Sequence, residues 1–530
     1  MPPSSVVRRL NEDIVLNIVS YLPGYDAVQL ALTCKFMYAI CSPRFPIEIS
    51  NQAQLVGRHH DLCHPHARSA GYIHHLKINL VPYIYKEYLD TIGNILTATK
   101  NLRSLEFQVC DASFILHPPA TRALAQMQEL RSLSCSPVSP GVLSVIKSIP
   151  SRNLVTLDLC YYSQRHHDFS PLLSTLEAFP KLSTLALKNF LPGPALLDIT
   201  RRPSFPSILH VTLRKCSATS TDLVYLCPKL ESLNLSLDRE EHSAGAHTDS
   251  RRRWPKLSRL TAHIGRAAAW GADAAAQDDD DRRTILVGLL EHRAGPVPHL
   301  ELTGEWEFTR DGVTAVDAAT SRRLTRLLAA LQPRVLTLPV HAGFQSLDKR
   351  LDGRMWTEVA RALPRLRALT LRCSEHHSWV PPDTLAAALA HLPLRCLFID
   401  TSPVDDPKAS GPDYRVVERI QVLGALPAKL LAALTKMRVL GIKGMTAPPE
   451  DAFKDLKLEV FLPYELDEWR KEHGERNTRW WRVDGTGAER RLVELWREDG
   501  EHAQKLVETA EKYRVADLAE IYLDKCRYEP

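Results

Sequence analysis

Residues 178–188 read AFPKLSTLALK and residues 362–372 read ALPRLRALTLR, and the two share one design. A proline and a basic residue lead to a leucine, a second leucine follows three residues later, and a third two residues after that. Residues two apart lie on the same side of an extended strand, so the unit is a short strand with one apolar face. The same offset returns at Ile73, Leu76 and Ile78; at Leu102, Leu105 and Phe107; at Leu154, Leu157 and Leu159; and at Leu182, Leu185 and Leu187. Further copies stand at Ile208, Val211 and Leu213; Leu230, Leu233 and Leu235; Leu366, Leu369 and Leu371; Leu394, Leu397 and Ile399; and Met437, Leu440 and Ile442. The segments between them, such as PLLSTLEAF and DTLAAALAHL, carry helical period. One copy cannot bury its leucines alone. Stacked copies bury a continuous core and set their strands side by side as a parallel sheet, so the expected class is an α/β solenoid.

Counting a partial copy at Leu130 and Leu133, the intervals from Ile73 to Leu257 are 29, 28, 24, 28, 26, 22 and 27 residues. Most fall in the range of leucine-rich repeats. The solenoid is expected over residues 71–446. Its register loosens between Leu260 and Leu366, where weak strand cues survive at Leu300 and Leu302 and at Leu336 and Leu338. Residues 266–283, RAAAWGADAAAQDDDDRR, are alanine-rich and then acidic, which suits a disordered insertion. Residues 447–530 lose the leucine pattern, carry Trp469, Trp480, Trp481 and Trp496, and close with AQKLVETAEKYRVADLAEIYLDKC. An open solenoid end needs covering, so this part is expected to be a helical C-terminal cap.

The N-terminal segment is of another kind. Leu10, Ile14, Ile18 and Leu22 recur every four residues, with Val15 and Val19 widening the stripe. Asn11 suits an N-cap, and Glu12 and Asp13 favour the positive end of the helix dipole. Pro23 and Gly24 end that helix, and two more follow through Asp26, Val28, Leu30 and Leu32, then Cys34, Phe36 and Ile40. Three short helices in about 40 residues make a small core that invites a partner.

These residues resemble an F-box. That family opens Leu-Pro-x-Glu-Ile-Leu and closes its first helix with an aromatic and a leucine, positions held here by Leu10, Asn11, Asp13, Ile14, Val15, Ile18, Val19, Tyr21 and Leu22. Its later pattern is met by Asp26, Val28, Leu30, Leu32, Cys34, Lys35 and Phe36. Asn11 departs from the usual proline, a change that keeps a helix start. The expected organisation is an F-box at residues 5–50, a linker at 51–70, the solenoid and the cap. An ordinary N-terminal cap on a solenoid is the bland alternative.

Composition narrows the function classes. The chain is 44% hydrophobic and 24% charged, as in folded globular proteins. Residues 450–530 hold 15 Lys/Arg and 21 Asp/Glu, leaving 52 against 41 upstream. A surplus of that size spread over the longer part is not the focused basic stripe of a nucleic-acid binder, so nucleic acid is not an expected partner. The 11 cysteines are scattered without a CxxC pair, and Cys34, Cys160 and Cys216 sit in apolar stretches, which fits reduced thiols. No apolar leader or run of membrane-spanning length occurs, so no membrane partner is expected and the chain is expected in the cytoplasm or nucleus.

Three constellations invite chemistry. GRHHDLCHPHAR places His59, His60, Cys63, His64 and His66 together, all types that bind zinc. No second ligand pair at matching spacing follows, so a solvated linker is the expectation and a zinc module the alternative. His166, His167, His376 and His377 follow repeat strands and are expected to be exposed loop residues. Arg251, Arg252 and Arg253 could grip an anion or form a solvated loop before Trp254. No phosphate loop, dinucleotide fingerprint, nucleophile elbow or HExxH helix occurs, so neither enzyme activity nor a cofactor is expected.

An F-box followed by leucine-rich repeats resembles the substrate receptors of cullin-RING ubiquitin ligases, and the short loops and proline-led strands resemble those of fungal F-box proteins. The resemblance implies an F-box-binding adaptor on a cullin scaffold as one partner and a protein substrate as the other. A repeat scaffold acting outside any ligase is the alternative. The adaptor-facing residues would be Leu10, Ile14, Ile18, Leu22, Leu30 and Phe36. Strand alternation places Glu106, Asp158, Lys188, Arg214, Asn234, Arg372 and Asp400 on the substrate face, with Gln108, Thr212 and Thr370 beside them.

Overall fold

The computed structural model describes residues 47–64, 73–80, 88–109, 117–162, 167–192, 203–237, 253–263, 286–303, 318–340, 353–373, 382–400, 414–443 and 478–513, with Leu30, Thr33, Met37, Ala70 and Ile115 as single positions. The chain divides into two units, Met1–Leu230 with Leu237–Ala246, and Glu231–Ser236 with His247–Pro530.

In the first unit strands alternate with helices: β1 (Ile47–Ile49), α1 (Gln52–Cys63), β2 (His75–Leu80), α2 (Tyr88–Ala98), β3 (Ser104–Val109) and α3 (Pro118–Leu124). They continue with β4 (Ser132–Val138), α4 (Pro140–Lys147), β5 (Thr156–Tyr161), α5 (Phe169–Glu177), β6 (Thr184–Lys188), β7 (His210–Cys216) and a 3₁₀ helix (Ala218–Leu226). Each strand pairs in parallel with the next in the chain. The register turns the leucine motif into columns. Leu76, Leu105, Leu133, Leu157, Leu185 and Val211 are successive partners, as are Ile78, Phe107, Cys135, Leu159, Leu187 and Leu213. All of them are buried.

The second unit repeats the plan with β8 (Ser232–Leu237), β9 (Arg259–His263), β10 (His299–Thr303), α6 (Ala318–Leu331), β11 (Val335–Val340), α7 (Gly353–Ala362) and β12 (Ala368–Cys373). It goes on through α8 (Pro382–Leu389), β13 (Cys396–Asp400), α9 (Tyr414–Ala433) and β14 (Val439–Lys443), all its strands to this point parallel. Leu233, Leu260, Leu300, Leu336, Leu369, Leu397 and Leu440 form one buried column. The weak cues at Leu300 and Leu336 are therefore strands in full register.

The proline-led cue has a local cause. The amide of Leu182 donates to the Phe179 carbonyl at 3.1 Å, that of Leu230 to Cys227 at 3.0 Å and that of Leu366 to Leu363 at 3.1 Å. Each is a four-residue turn whose second position, held by Pro180, Pro228 or Pro364, wants the φ that proline already has. Helix starts are equally local: Ser139 accepts from the Val142 amide ahead of α4, Asp168 from Ser170 ahead of α5 and Asn51 from Gln54 ahead of α1.

Two boundaries differ from the expectation. The sheet starts at Ile47, because β1 pairs with β2, and most of the expected linker at 51–70 is helix α1 with Leu55 and Leu62 buried. A three-residue strand without a proline-led turn, and a helix whose exposed side is rich in histidine, concealed that first repeat. The cap is not helical throughout. It contains β15 (Thr478–Asp484) and β16 (Arg491–Leu495), antiparallel to β14 and to each other, before α10 (Arg497–Tyr513). The residues 266–283 lie outside the described residues. Among the described residues no helix is long and apolar enough to cross a membrane.

Leu369 is 1% exposed in the middle of its column. Leu369→Ala is expected to destabilise the protein by about 2–5 kcal/mol, while Val155→Ala at an exposed strand start changes stability by less than about 0.5 kcal/mol. Urea unfolding of the two variants checks both values.

Candidate functional site

The residues between the leucines form columns on the opposite face of the sheet. In the first unit Lys77, Glu106, Ser134, Asp158, Ala186 and Thr212 are successive partners. The Lys77 ammonium lies 3.2 Å from Glu48 and 4.0 Å from Glu106, joining β1, β2 and β3, and Gln108 Nε2 donates to Glu106 Oε1 at 2.9 Å. Lys188 and Arg214 are partners in the neighbouring column. Burial pushes the Asp158 carboxyl above its ordinary value, opposed by Arg214, by a hydrogen bond from Ser134 and by Lys188. Glu106, Asp158, Lys188 and Arg214 thus share one face, as expected. It is mixed in charge and built on rigid strands. Lys77, which links its acidic end, was missed although it stands between Leu76 and Ile78.

In the second unit Asn234, Thr261, Glu301, Thr337, Thr370 and Phe398 form one outward column, and Arg372, Asp400 and Lys443 are partners in another. These residues are more engaged than the alternation suggests. Glu301, only 12% exposed at its side chain, binds Arg259 at 2.8 Å and Arg372 at 2.9 Å. Its carboxyl is buried, which would raise its pKa, yet the two guanidiniums hold it below the ordinary range. Asp400 pairs with Lys443 at 3.4 Å. Arg372 and Asp400 are therefore partly committed inside the chain. Glu301 sits between Leu300 and Leu302 and was legible as outward; nothing in the sequence shows that two arginines converge on it.

Toward β14 this face is closed by the chain itself. Trp480 on β15 is 1% exposed and stacks on Phe398 with ring centres 5.2 Å apart and planes 5° from parallel. Val335, Ala368, Cys396, Val439, Trp480, Leu495 and Ala503 form one buried cluster, with Phe398 and Leu506 against it. A side chain at Gly441 or at Gly500 would run into the Trp480 ring, so glycine at both positions lets β14 and α10 close on the indole. The hairpin was missed despite a signal: Asp484-Gly485-Thr486-Gly487 between alternating segments reads as a turn between strands, and Gly485 has φ +80°.

The other constellations resolve differently. His59, His60 and Cys63 lie on α1 rather than in a solvated linker, and burial raises the Cys63 thiol, which disfavours the thiolate a metal needs. Among the described residues no group of three His, Cys, Asp or Glu converges to hold a metal; His66 lies outside them. His167 is not an exposed loop residue, since its ring packs against Tyr161 at 4.7 Å and stacks on Phe190. His166, His376, His377, Arg251 and Arg252 lie outside the described residues, and Arg253 is exposed before a buried Trp254. Cys135, Cys216, Cys227 and Cys396 are buried cysteines outside any disulfide, with the Cys227 thiol pushed up to about 12 by burial.

Of the adaptor-facing candidates, Leu30 is described and half-buried, with the Thr33 hydroxyl donating to its carbonyl at 2.7 Å. Met37 nearby is buried. Leu10, Ile14, Ile18, Leu22 and Phe36 lie outside the described residues. Residues 8–47 match the F-box domain family. No curated protein matches the chain. Among solved structures the chain is similar to the leucine-rich repeat-containing protein LegL7 from Legionella pneumophila, at 13% identity over 73% of this chain and 98% of that one, with a TM-score of 0.33. It is also similar to an internalin (inlF) from Listeria monocytogenes, at 13% identity over 70% and 81% with a TM-score of 0.25. The match to the F-box domain thus stands before a solenoid of parallel strands and intervening helices.

Two measurements probe this face. His299, beside Arg259 on the outward side, has its pKa lowered to about 4, first by burial and then by Arg259. The unfolded imidazole takes up a proton near pH 6.5 while the folded one resists, so stability present above that pH is lost as the solution is acidified. Unfolding is expected to ease by about 1 kcal/mol between pH 7 and pH 5, and His299→Gln flattens that dependence. Gly500→Leu is expected to drive α10 off Trp480, read as red-shifted tryptophan emission and faster proteolytic loss of the C-terminus, with the far-ultraviolet signal of the repeats retained.

Proposed function

We propose that the chain is the substrate-recognition subunit of an SCF-type E3 ubiquitin ligase, acting in the cytoplasm or nucleus. The observation that carries this reading is the direct junction of its two modules. The F-box match ends at residue 47, and β1 begins at Ile47, so the matched residues run up to the first strand of the sheet. F-box domains bind Skp1-type adaptors. In this chain the amphipathic stripe of Leu10, Ile14, Ile18 and Leu22, with Leu30 and Phe36, meets that adaptor, and the outward face of the repeats holds a protein.

The chain does no chemistry of its own in this reading. It raises the local concentration of a substrate beside the charged enzyme, and a short connection keeps that concentration high where a long flexible one would dilute it. Glu106, Asp158, Lys188 and Arg214 supply an outward patch of both signs, which suits a protein surface more than a polyanion. Arg372 is a poorer probe of binding, because reversing its charge would set a second carboxylate against Glu301 and disturb the fold as well.

Ile14→Asp with Ile18→Asp is expected to abolish co-purification with the adaptor, each anchor being worth about 2 kcal/mol or more. Adaptor binding undiminished in that variant overturns the assignment. Lys188→Glu with Arg214→Glu is expected to lower substrate capture in a pull-down while adaptor binding stays intact. Loss of both together would identify a folding defect instead.

A further inference from the structure

Arginine stands immediately before the first residue of four successive strands: Arg334 before β11, Arg367 before β12, Arg395 before β13 and Arg438 before β14. Their backbones are bonded in turn, the Arg367 amide to the Arg334 carbonyl at 2.8 Å, Arg395 to Arg367 at 2.7 Å and Arg438 to Arg395 at 2.8 Å. Four cationic residues therefore follow one another at the strand spacing of about 4.8 Å. The fold asks only for a backbone at this position. Glu231, Ser258 and Pro298 hold it in the preceding repeats of the same unit, and His74, Arg103, Arg131, Val155 and Ser183 hold it in the first unit, where the arginines run for two strands only. Like charges on neighbouring strands repel, so stability does not account for a run of four.

The surroundings reinforce the charge. Arg365 and Lys436, in the turns leading to β12 and β14, are exposed. Arg490 of the hairpin donates to the carbonyls of Leu431 and Leu434 at 2.9 and 2.7 Å, and its pKa is drawn down by burial and then by the charge of Arg438. Residues 318–340, 353–373, 382–400 and 414–443, the helices and strands of these four repeats, hold 16 Lys/Arg against 4 Asp/Glu. Arg334 and Arg395 make further interactions within the chain. Among the described residues no carboxylate pairs with Arg367 or Arg438.

We propose that this arginine edge docks an acidic segment of the captured protein, an inference that rests on the substrate-receptor reading above. Four residues at strand spacing span about 14 Å, the reach of four or five residues of extended polypeptide. Guanidinium forks match carboxylates two bonds at a time. A single-stranded nucleic acid is held by a longer basic groove with stacking aromatics set into it. The residues flanking these arginines are Pro333 and Val335, Leu366 and Ala368, Leu394 and Cys396, and Met437 and Val439, none of them aromatic.

The test uses the full chain bound to its adaptor and three labelled probes: a twelve-residue peptide of alternating Glu and Ser, its Gln and Ser counterpart, and oligothymidylate of twelve nucleotides. The acidic peptide is expected to bind, to weaken as salt is raised, and to lose about tenfold or more in affinity in Arg367→Glu with Arg438→Glu. Arg367→Gln with Arg438→Gln is expected to fall between, and it decides the matter if the reversed pair fails to fold. Equal binding of the neutral peptide, unchanged affinity in both paired variants, or tighter binding of oligothymidylate than of the acidic peptide would overturn the proposal. Absence of adaptor binding in the wild-type chain strikes the ligase reading instead, and the peptide affinities of the chain alone then judge the edge separately.

Discussion

Parallel strands in register impose a rule on every residue of a repeat: it meets its counterpart in the next repeat at about 4.8 Å, again and again along the sheet. A leucine in the motif is consequently a member of a column, and the column is what excludes water. Leu369 between Leu336 and Leu397 is buried from both sides by residues doing the same thing. The rule acts on polar positions as well. A lysine between two glutamates becomes a bridge across three strands, as Lys77 shows, whereas an arginine between arginines becomes a line of charge. The fold thus amplifies sequence choices that would be inconsequential in an isolated strand.

That amplification explains which parts were legible in the sequence. The leucine columns could be read because each copy repeats an offset set by strand geometry, and the copies at Leu300 and Leu336 proved to be in full register although their cues were weak. The ends were less legible because they break the rule. Strand β1 has no preceding repeat and only three residues, and β15 runs against its neighbour, so neither carries the proline-led turn that announces the rest. On the outward face the alternation named the right side for Glu106, Asp158, Lys188 and Arg214, since a side is decided by parity alone. It could not show that Arg372 reaches back to Glu301 on β10 or that Asp400 is paired with Lys443, because those contacts depend on side-chain reach across strands. The F-box pattern was legible as a family motif, and the match at residues 8–47 agrees with it.

The outward face of the second unit divides into parts with different physical roles. From β11 to β14 its first column is Val335, Ala368, Cys396 and Val439, which would leave apolar surface in water if the chain ended at β14. Trp480, Leu495 and Ala503 remove that surface, and the two glycines facing the indole show how closely the cover fits. A solenoid end must be sealed at its last strand. Here the seal also wraps onto the outward side. Polar groups persist elsewhere in that unit, as in the Arg259–Glu301–Arg372 cluster, where a nearly buried carboxylate keeps two guanidiniums in place.

The junction at residue 47 bears on how the two parts of the chain are held. A receptor that positions one protein against another is limited by the freedom between its two sites, because each flexible residue enlarges the volume over which the substrate wanders. Ile47 to Ile49 pair directly with Leu76 to Ile78, so the polypeptide leaving the F-box match enters the sheet at once. Any force that fixes β2 also fixes β1, and the hydrogen bonds of that pair are backbone bonds that no side-chain substitution short of proline removes. The orientation of the chain at residue 47 is consequently set by the same parallel register that builds the leucine core.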